Sequence, residues 1–280
     1  MNTNTTSTTK TEPVIQPVLK WAGNKRKIVH HILPLLPEGK RFIEPFCGSA
    51  AVFLNTSYKE NIIADTNTDV INLFLHLQKE NDKFIKYCDT FFIGYNNDAE
   101  QYYELRKQFN ETKDKRLRAA LFLYLNKHCF NGLCRYNKKG GFNVPFGRHK
   151  TILLPREKMQ YFVQKSQQAE FIVSDFVTTM SKAIKGDVIY CDPPYVPVND
   201  SNSSFKYEKN GFTMEQQEML ATVAEETANR GIPVLISNHF TDFTREIYKN
   251  AKLTTFSVQR NISCNAEKRV KASEVLALFK

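Results

Sequence analysis

The chain alternates short runs of β-prone residues with segments of helical periodicity, and this alternation limits the folds open to it. Six runs have the length and composition of strands: 41–47, 61–65, 171–176, 187–192, 232–238 and 252–260. Strands separated by helices predict an α/β domain with a largely parallel sheet. Thr213 and Gln216 form a capping-box pattern, which predicts a helix from there to about Asn229.

The alternation stops between 69 and 169, where helical patterns occur at 69–91, 100–110 and 116–129. We therefore predict an inserted helical domain at 69–169, within a main domain formed by 18–68 and 170–280. Two β-prone runs at 135–144 flank Lys138, Lys139 and two glycines, which predicts a basic β-hairpin in the insertion. Residues 1–17 are predicted to be a disordered tail.

Most of the net charge of +10 lies in this insertion. Between 113 and 150 there are ten basic residues and one acidic residue, a balance of +9. The remaining 29 bases and 28 acids nearly cancel. Positive charge confined to one segment is typical of a surface that contacts phosphates, whereas evenly spread charge would favour a role in solubility alone.

Six cysteines and six histidines are present, but no C-x-x-C pair or His/Cys cluster at metal-ligand spacing occurs. We therefore expect a reduced cytoplasmic protein without a metal site. No apolar run is long enough to span a bilayer, so a membrane partner is not expected.

The tetrapeptide Asp-Pro-Pro-Tyr at 192–195 follows an apolar run, at the carboxyl end of a predicted buried strand. Open α/β sheets bind ligands at this edge. The prolines stiffen the loop and remove two backbone donors. The Asp192 carboxylate and Pro193 carbonyl could bind both hydrogens of a base amine and stabilise positive charge as it attacks a methyl group, while Tyr195 stacks on the base. Asp-Pro also begins many plain turns, so this motif alone leaves both interpretations open.

Two further features are predicted to lie at the same edge. Gly48 precedes a helix predicted to begin at Ala51, and glycine allows close approach of backbone to a ligand. Asp65 ends the second strand, where nucleotide-binding folds place an acid on ribose hydroxyls.

Two segments outside the predicted strands remain open to more than one interpretation. Trp21 and Lys25 precede the first strand and could contact a cofactor that has a ring and a carboxylate, although a core tryptophan beside a solvated lysine fits equally. The polar loop 199–211 is interpreted either as a lid over the base or as a surface loop.

In this order, the motifs resemble those of the DNA adenine methylases of the Dam type. The resemblance covers 19–280 and rests on the segments 20–25, 42–48, 130–137, 142–147, 192–195 and 235–238. It implies a Rossmann-like methyltransferase sheet with S-adenosylmethionine as cofactor and a DNA-recognition insertion. The implied reaction is methylation of N6 on a flipped adenine, within GATC of double-stranded DNA. We expect a monomer.

The resemblance also implies roles for single residues. Asp192, Pro193 and Tyr195 match the catalytic positions. The expected cofactor-binding residues are Trp21, Lys25, Gly48, Asp65 and Asp192, with Asp175 and Phe176 beside the adenine of the cofactor. The expected DNA contacts are Lys20, Phe130, Asn131, Leu133, Arg135, Lys138, Lys139 and Pro145. Phe130 is expected to fill the stack left by the flipped adenine. The family often has glycine at the position of Ala50 and tyrosine at that of Phe130.

Two other functions were weighed against this one. A methyltransferase acting on adenine in RNA is disfavoured because double-stranded RNA hides its major-groove edges from side chains. A DNA-binding protein on an inactive scaffold is disfavoured because Asp65, Asp192 and Tyr195 are retained. The sequence leaves open whether the reaction would serve repair, replication control, phage defence or a restriction partner.

Overall fold

A computed structural model of the chain describes residues 13–196, 212–258 and 272–280. Within these ranges one sheet has seven strands in the order β3-β2-β1-β4-β5-β7-β6. The strands are β1 (Arg41–Glu44), β2 (Glu60–Asp65), β3 (Ala169–Val173), β4 (Asp187–Cys191), β5 (Val234–His239), β6 (Lys252–Val258) and β7 (Ala272–Phe279).

Strands β1 to β5 are parallel, so their carboxyl ends meet at one edge of the sheet. Strand β7 runs antiparallel between β5 and β6. The central strand β4 is buried along its whole length, as expected for a parallel strand covered on both faces. At the amino edge Arg41 pairs with Asp187 at 2.7 Å, which ties β1 to β4. The predicted α/β fold with a largely parallel sheet is confirmed.

Helices cover both faces of the sheet. Those in the described ranges are α1 (Val29–Ile32), α2 (Thr68–Glu80), α3 (Asp82–Asp89), α4 (Ala99–Glu111), α5 (Lys115–His128), α6 (Arg156–Ser166), α7 (Phe176–Ser181), α8 (Met214–Asn229) and α9 (Asp242–Ile247). Phe42 packs in a buried cluster with α2, α5 and α6, and its neighbour Ile43 in a second cluster with α7 and α8. Successive strand residues point to opposite faces, so β1 contributes to both cores.

The predicted capping box of α8 is confirmed. The Thr213 hydroxyl accepts from the Gln216 amide at 3.2 Å, and the Gln216 side chain accepts from the Thr213 amide at 2.9 Å. These two bonds satisfy two amide donors that a helix end otherwise leaves unpaired. The helix therefore begins at a fixed place near the cavity described below.

The predicted end of β1 and the helix predicted to follow it are wrong. Strand β1 ends at Glu44 rather than at 47, and no α-helix begins at Ala51. Gly48 (φ +46°) and Ala50 (φ +59°) turn the chain in the left-handed region, and only a 3₁₀ turn, Phe53–Asn55, follows. Ala50 thus holds a conformation that glycine adopts without strain. The helix predicted at 69–91 is divided into α2 and α3 at Asn81, whose φ is +51°.

The predicted basic hairpin is a turn with little strand structure. One antiparallel bridge joins Tyr136 to Phe142, and another joins Cys129 to Phe146. The Asn137 side chain accepts from the amides of Lys139 and Gly141 at 2.9 and 3.0 Å. Backbone bonds from the Asn137 amide to the Gly141 carbonyl at 2.8 Å and from the Asn143 amide to the Arg135 carbonyl at 3.1 Å flank the first bridge, so the segment is a short hairpin with a single bridge. We call residues 135–144 the basic turn below.

The division into two domains stays a prediction. Helices α2 to α6 lie between β2 and β3 in the chain, yet Phe74 and Phe122 share one buried cluster with Phe42 of β1. Residues 13–17 of the predicted tail are not disordered, because Ile15 and the Asn55 side chain exchange hydrogen bonds of 2.8 and 3.1 Å. The loop 199–211 lies outside the described residues. No helix in the described ranges is long and apolar enough to cross a bilayer.

Candidate active site

A cavity of about 810 Å³ opens at the carboxyl edge of the sheet. Four segments contribute most of its lining: 21–28, 44–52, 65–66 and 192–195. Strands β1, β2 and β4 all end there, because parallel strands present their carboxyl ends on the same side. A cavity of this volume suits a ligand of cofactor size.

Asp192, the first residue after β4, is held at one of its two oxygens. Lys25 Nζ lies 2.7 Å from Oδ1, and the Ser237 hydroxyl donates to the same oxygen at 2.9 Å. Ser237 lies in turn 2.9 Å from the hydroxyl of Tyr190. Within the described residues no hydrogen bond reaches Oδ2, and the side chain is 18% exposed. The carboxylate is therefore oriented while one oxygen remains available to a ligand.

Burial shifts the pKa values of two acids in this cavity, Asp192 and Glu44. It raises the pKa of Asp192, while Lys25 and the Ser237 hydroxyl act in the opposite direction. Burial, followed by the nearby charge of Asp192, raises the pKa of Glu44 well above its ordinary value. Glu44 is 2% exposed and accepts a bond from the Phe53 amide at 3.3 Å. Burial thus favours the neutral form of both acids, and at Asp192 the bound Lys25 and Ser237 oppose it.

Gly48 and Asp65 are joined directly. The Gly48 amide donates to Asp65 Oδ2 at 2.9 Å, and the Asn67 amide donates to Oδ1 at 2.8 Å. A Cβ atom at Gly48 would lie 2.5 Å from Nε1 of Trp21. Because φ is also positive there, a side chain at this position would be strained and would collide with the indole. The turn after β1, the acid after β2 and Trp21 are thus packed as one unit.

Aromatic side chains form the part of the cavity nearest Asp175. The rings of Phe46 and Phe176 stack at 5.5 Å, and Phe212 meets Phe46 edge-on at 5.5 Å. Asp175 caps helix α7 through its bond to the Thr178 amide at 2.8 Å. Burial of apolar rings beside a carboxylate suits a flat heterocycle that carries amino hydrogens.

Tyr195 lies between charged groups at the mouth of the same cavity. Its hydroxyl donates to Glu274 Oε2 at 3.2 Å, and its ring meets that of His239 edge-on at 4.7 Å. Lys25 Nζ lies 4.3 Å from the ring centroid. These contacts restrict the ring, and a restricted aromatic ring is a suitable surface for stacking of a base.

Five of the expected DNA contacts lie around the turn that follows α5. The Lys20 amide and carbonyl bond to the Asn126 side chain at 2.9 and 2.7 Å, which brings Lys20 against this turn. A Cβ at Gly132 would lie 2.4 Å from the Lys20 side chain, so the contact requires glycine. The Phe130 amide donates to the Pro145 carbonyl at 2.9 Å. The residues that the structure groups here are Lys20, Phe130, Asn131, Leu133 and Pro145.

The Phe130 side chain is 50% exposed although it is large and apolar. Its neighbour Asn131 has a φ of +54°, and the Leu133 amide bonds back to the Phe130 carbonyl at 3.2 Å. The tight turn holds the phenyl ring at the surface instead of in the core. The ring is therefore accessible to a ligand, as single exposed apolar side chains commonly are.

The remaining expected DNA contacts lie in the basic turn. Arg135 donates to the Asn143 side chain at 2.8 Å, across the turn, and Lys138 and Lys139 are exposed at its tip. The turn is attached to α2 through Tyr136, whose hydroxyl donates to Asp69 Oδ2 at 2.7 Å. Arg118 of α5 bonds both oxygens of the same buried carboxylate. A buried ion pair thus fixes the base of the basic turn.

The structure narrows the predicted positive surface. Lys127 is buried and its ammonium donates to the Val18 carbonyl. Arg116 pairs with Glu80 at 2.7 Å, and Arg118 pairs with Asp69 as described. These three of the ten cations hold the fold together. The bases that remain exposed in this segment are Lys113, Lys115, Arg135, Lys138, Lys139, Arg148 and Lys150.

Several residues of the site were not predicted as site residues. Ser237 and Asn238 end β5 beside Asp192, Gln217 bonds to the Pro194 carbonyl at 2.7 Å, and Glu274 accepts from Tyr195. Ser237 and Asn238 had a detectable signal, because two polar residues follow an apolar strand there. Gln217 and Glu274 had none, since their positions depend on how α8 and β7 pack.

The sequence matches, over residues 21–262, the family described as D12 class N6 adenine-specific DNA methyltransferase. A DNA adenine methylase of Vibrio cholerae is 46% identical over 262 residues, covering 93% of this chain and 95% of that protein. The DNA adenine methylase of Escherichia coli K12 is 45% identical, covering 94% of each. One from Serratia marcescens is 44% identical, covering 94% and 97%.

A solved structure, precorrin-6y C5,15-methyltransferase of Geobacter metallireducens, aligns with 91% of this chain and 88% of that one, at 8% identity and a TM-score of 0.38.

Proposed function

The chain belongs to the D12 class of N6 adenine-specific DNA methyltransferases, and from this premise we propose that it methylates a flipped adenine within GATC of duplex DNA. The proposal depends above all on Asp192, which follows β4 and lies in a cavity with Lys25 at 2.7 Å. An oriented carboxylate at this place has the chemistry that activation of a base amine requires.

Enzymes of this class take their methyl group from S-adenosylmethionine, and the cavity offers a suitable partner for each part of that molecule. When bound, the cofactor supplies an electrophilic methyl group on a positively charged sulfur. Asp65 would accept from the ribose hydroxyls, and Phe46 and Phe176 would contact the adenine ring. Lys25 would pair with the carboxylate of the methionine part, and Oδ2 of Asp192 would be shared between its ammonium group and the substrate amine.

The chain activates the amine through two acceptors. The lone pair of adenine N6 is delocalised into the ring, so the amine is a poor nucleophile. The carboxylate of Asp192 and the carbonyl of Pro193 accept its two hydrogens, which localises the lone pair on nitrogen and stabilises the positive charge that develops there. Within the described residues the Pro193 carbonyl accepts no other hydrogen bond. Tyr195 stacks on the base and offsets part of the cost of unstacking it.

Target recognition is assigned to the surface formed by the turn after α5 and the basic turn. Arg135 and Lys20 have the donors that read guanine edges, and Leu133 and Pro145 offer apolar contact to a thymine methyl group. Asn131 can bond a base edge or a phosphate, and Lys138 and Lys139 bind phosphates. The exposed ring of Phe130 fills the stack that the extruded adenine leaves.

A protection assay tests the activity and the target together. Purified protein and S-adenosylmethionine are incubated with a GATC duplex and with a matched GTTC duplex, and labelled methyl transfer is counted alongside cleavage by a methylation-blocked nuclease. We expect label and protection on GATC alone. Label on both duplexes would contradict the target sequence, and absence of label at saturating enzyme would contradict the activity.

Replacement of Asp192 tests the mechanism. We expect Asp192→Ala to bind duplex DNA nearly as well as the wild type, because binding depends on the basic surface. Its turnover should fall by about 100-fold or more, since an acceptor for the amine is lost. Gel-shift affinity and single-turnover methylation measure the two effects separately. Turnover equal to that of the wild type would exclude Asp192 as the acceptor.

A further inference from the structure

The catalytic loop has few hydrogen bonds of its own. Residues 193 and 194 are prolines and lack amide donors, so the loop cannot be fixed by a ladder of backbone bonds. It follows β4 directly and must still present the Pro193 carbonyl to a ligand. Something other than the loop has to determine which of its carbonyls faces the cavity.

Two fully buried amide side chains contact the loop from the neighbouring elements α8 and β5. Gln217 Nε2 donates to the Pro194 carbonyl at 2.7 Å. The Val196 amide donates to Asn238 Oδ1 at 3.1 Å. Gln217 and Asn238 are 1% and 0% exposed. Both the Pro194 carbonyl and the Val196 amide are thus bonded to buried side chains.

The two amides are also bonded to each other. Asn238 Nδ2 donates to Gln217 Oε1 at 3.0 Å and to the Tyr248 hydroxyl at 3.1 Å. Asn238 Oδ1 accepts a second bond, from the His239 amide at 2.9 Å. All four hydrogen-bonding sites of Asn238 are therefore occupied. Only one orientation of the Asn238 amide makes all four bonds. Its bond to Oε1 in turn fixes the orientation of the Gln217 amide.

We propose that Gln217 and Asn238 are positioning residues, which bind the Pro194 carbonyl and the Val196 amide so that the Pro193 carbonyl stays directed at the substrate amine. Neither residue touches the amine. They act through the backbone of residues 192–196, whose geometry sets the distance between the two acceptors. The inference depends on the proposed function only for the identity of the amine.

The test compares three variants that alter the network at different points. Gln217→Met has nearly the same shape but neither donates to Pro194 nor accepts from Asn238. Gln217→Glu keeps the acceptor for Asn238, and its carboxyl, protonated by burial, can still donate to the Pro194 carbonyl, so it is the conservative rescue variant. Tyr248→Phe is the matched control, because it removes one buried bond of Asn238 and leaves both contacts to the loop.

We expect kcat for labelled methyl transfer to fall by about 10- to 100-fold in Gln217→Met, and by less in Gln217→Glu, because small displacements of reacting groups are costly. KM for the duplex and for S-adenosylmethionine should stay within about threefold, and Tyr248→Phe should stay within about threefold of the wild type in kcat. Hydrogen exchange at the Val196 amide should quicken in both Gln217 variants and remain slow in Tyr248→Phe.

Equal kcat values for Gln217→Met and the wild type would overturn the inference. So would a loss that Tyr248→Phe shares, since that would mean general destabilisation of the network. If Gln217→Met does not fold, Asn238→Asp replaces it, because it keeps the acceptor for Val196 and loses donation to Gln217. A wild-type protein without adenine methylation would instead contradict the proposed function, so the two failures are distinguishable.

Discussion

Single residues at this site make several contacts at once, and each contact uses a different atom. Asp192 uses Oδ1 for Lys25 and Ser237, which leaves Oδ2 for a ligand. Gly48 donates its amide to Asp65 and leaves room for the Trp21 ring. Because Ser237 and Lys25 both bind Oδ1, a serine on another strand helps to orient the Asp192 carboxylate.

Ser237→Ala should shift the pH dependence of methylation. Burial already raises the pKa of Asp192, and the Ser237 hydroxyl favours the charged form. Without it the pKa rises further, so the carboxylate is protonated and activity is lost at a higher pH as the pH falls. The acid limb of the pH profile of kcat should therefore move to higher pH in Ser237→Ala than in the wild type.

Ser237→Thr is the control for this measurement, because it keeps a hydroxyl at the same atom. Its pH profile should follow that of the wild type. An acid limb that does not move in Ser237→Ala would mean that the serine has no influence on the charge of Asp192.

Lys127→Met should change how stability depends on pH. Burial lowers the pKa of Lys127 from 10.5 to about 7. Between these values the unfolded chain binds a proton that the folded chain lacks. The free energy of unfolding of the wild type therefore gains up to about 1.4 kcal/mol per pH unit from this group as the pH rises. The variant lacks that gain, so its stability relative to the wild type should be greatest near pH 7 and should fall steadily towards pH 10.

Urea unfolding at several pH values measures this difference. Lys115→Met, on the exposed side of the same helix, is the control and should differ from the wild type by a constant amount. A difference for Lys127→Met that is also constant with pH would show that the amine is charged in the folded protein.

At the scale of elements, the sequence predicted what depends on local pattern and missed what depends on pairing. Strands β1 to β6 were predicted because each is a short β-prone run. Strand β7 was missed because its place between β5 and β6 is a long-range antiparallel pairing. The helix expected at Ala51 was wrong because Gly48 and Ala50 turn left-handed, which periodicity does not record. Helix α6 was missed inside the stretch interpreted as a helical insertion.

The same distinction applies to the candidate site. Asp65, Lys25 and Asp192 were predicted because they lie at strand ends or in recognisable motifs. Gln217 and Glu274 reach the loop from α8 and β7, so their roles depend on which elements are neighbours. Sequence reasoning therefore located the reacting groups better than the groups that hold them in place.

Tyr136→Phe should loosen the basic turn without removing any base-reading side chain. The hydroxyl donates to the buried Asp69 carboxylate, so its loss should lower the free energy of unfolding by about 1.5 to 3 kcal/mol. Because the turn carries Arg135, discrimination between GATC and duplexes with one guanine replaced should also weaken. Competition binding and chemical unfolding measure the two effects.

Arg135→Ala is the comparison for this variant. It should relax selectivity at one guanine by about 1 to 3 kcal/mol and leave stability almost unchanged. If Arg135→Ala weakened binding to all duplexes equally, the residue would be a phosphate contact, and the basic turn would serve affinity instead of target choice.

For the whole molecule, the net charge of +10 matters less than where its exposed part lies. Between residues 113 and 150, Arg116, Arg118 and Lys127 bond to other parts of the fold. The basic residues that remain exposed include Lys138 and Lys139, at the tip of the basic turn. Lys138→Gln combined with Lys139→Gln should weaken binding to all duplexes alike. The slope of the logarithm of the binding constant against the logarithm of the salt concentration should become shallower by about 2, since each phosphate contact contributes about 0.9.

The matched control is Lys182→Gln with Lys185→Gln, which removes the same charge near the amino end of β4, away from the cavity. Because condensed counterions are released only where lysines meet phosphates, the control should leave the slope unchanged. Equal slopes for the two double variants would mean that binding responds to total charge, and the basic turn would then have no special place in the interface.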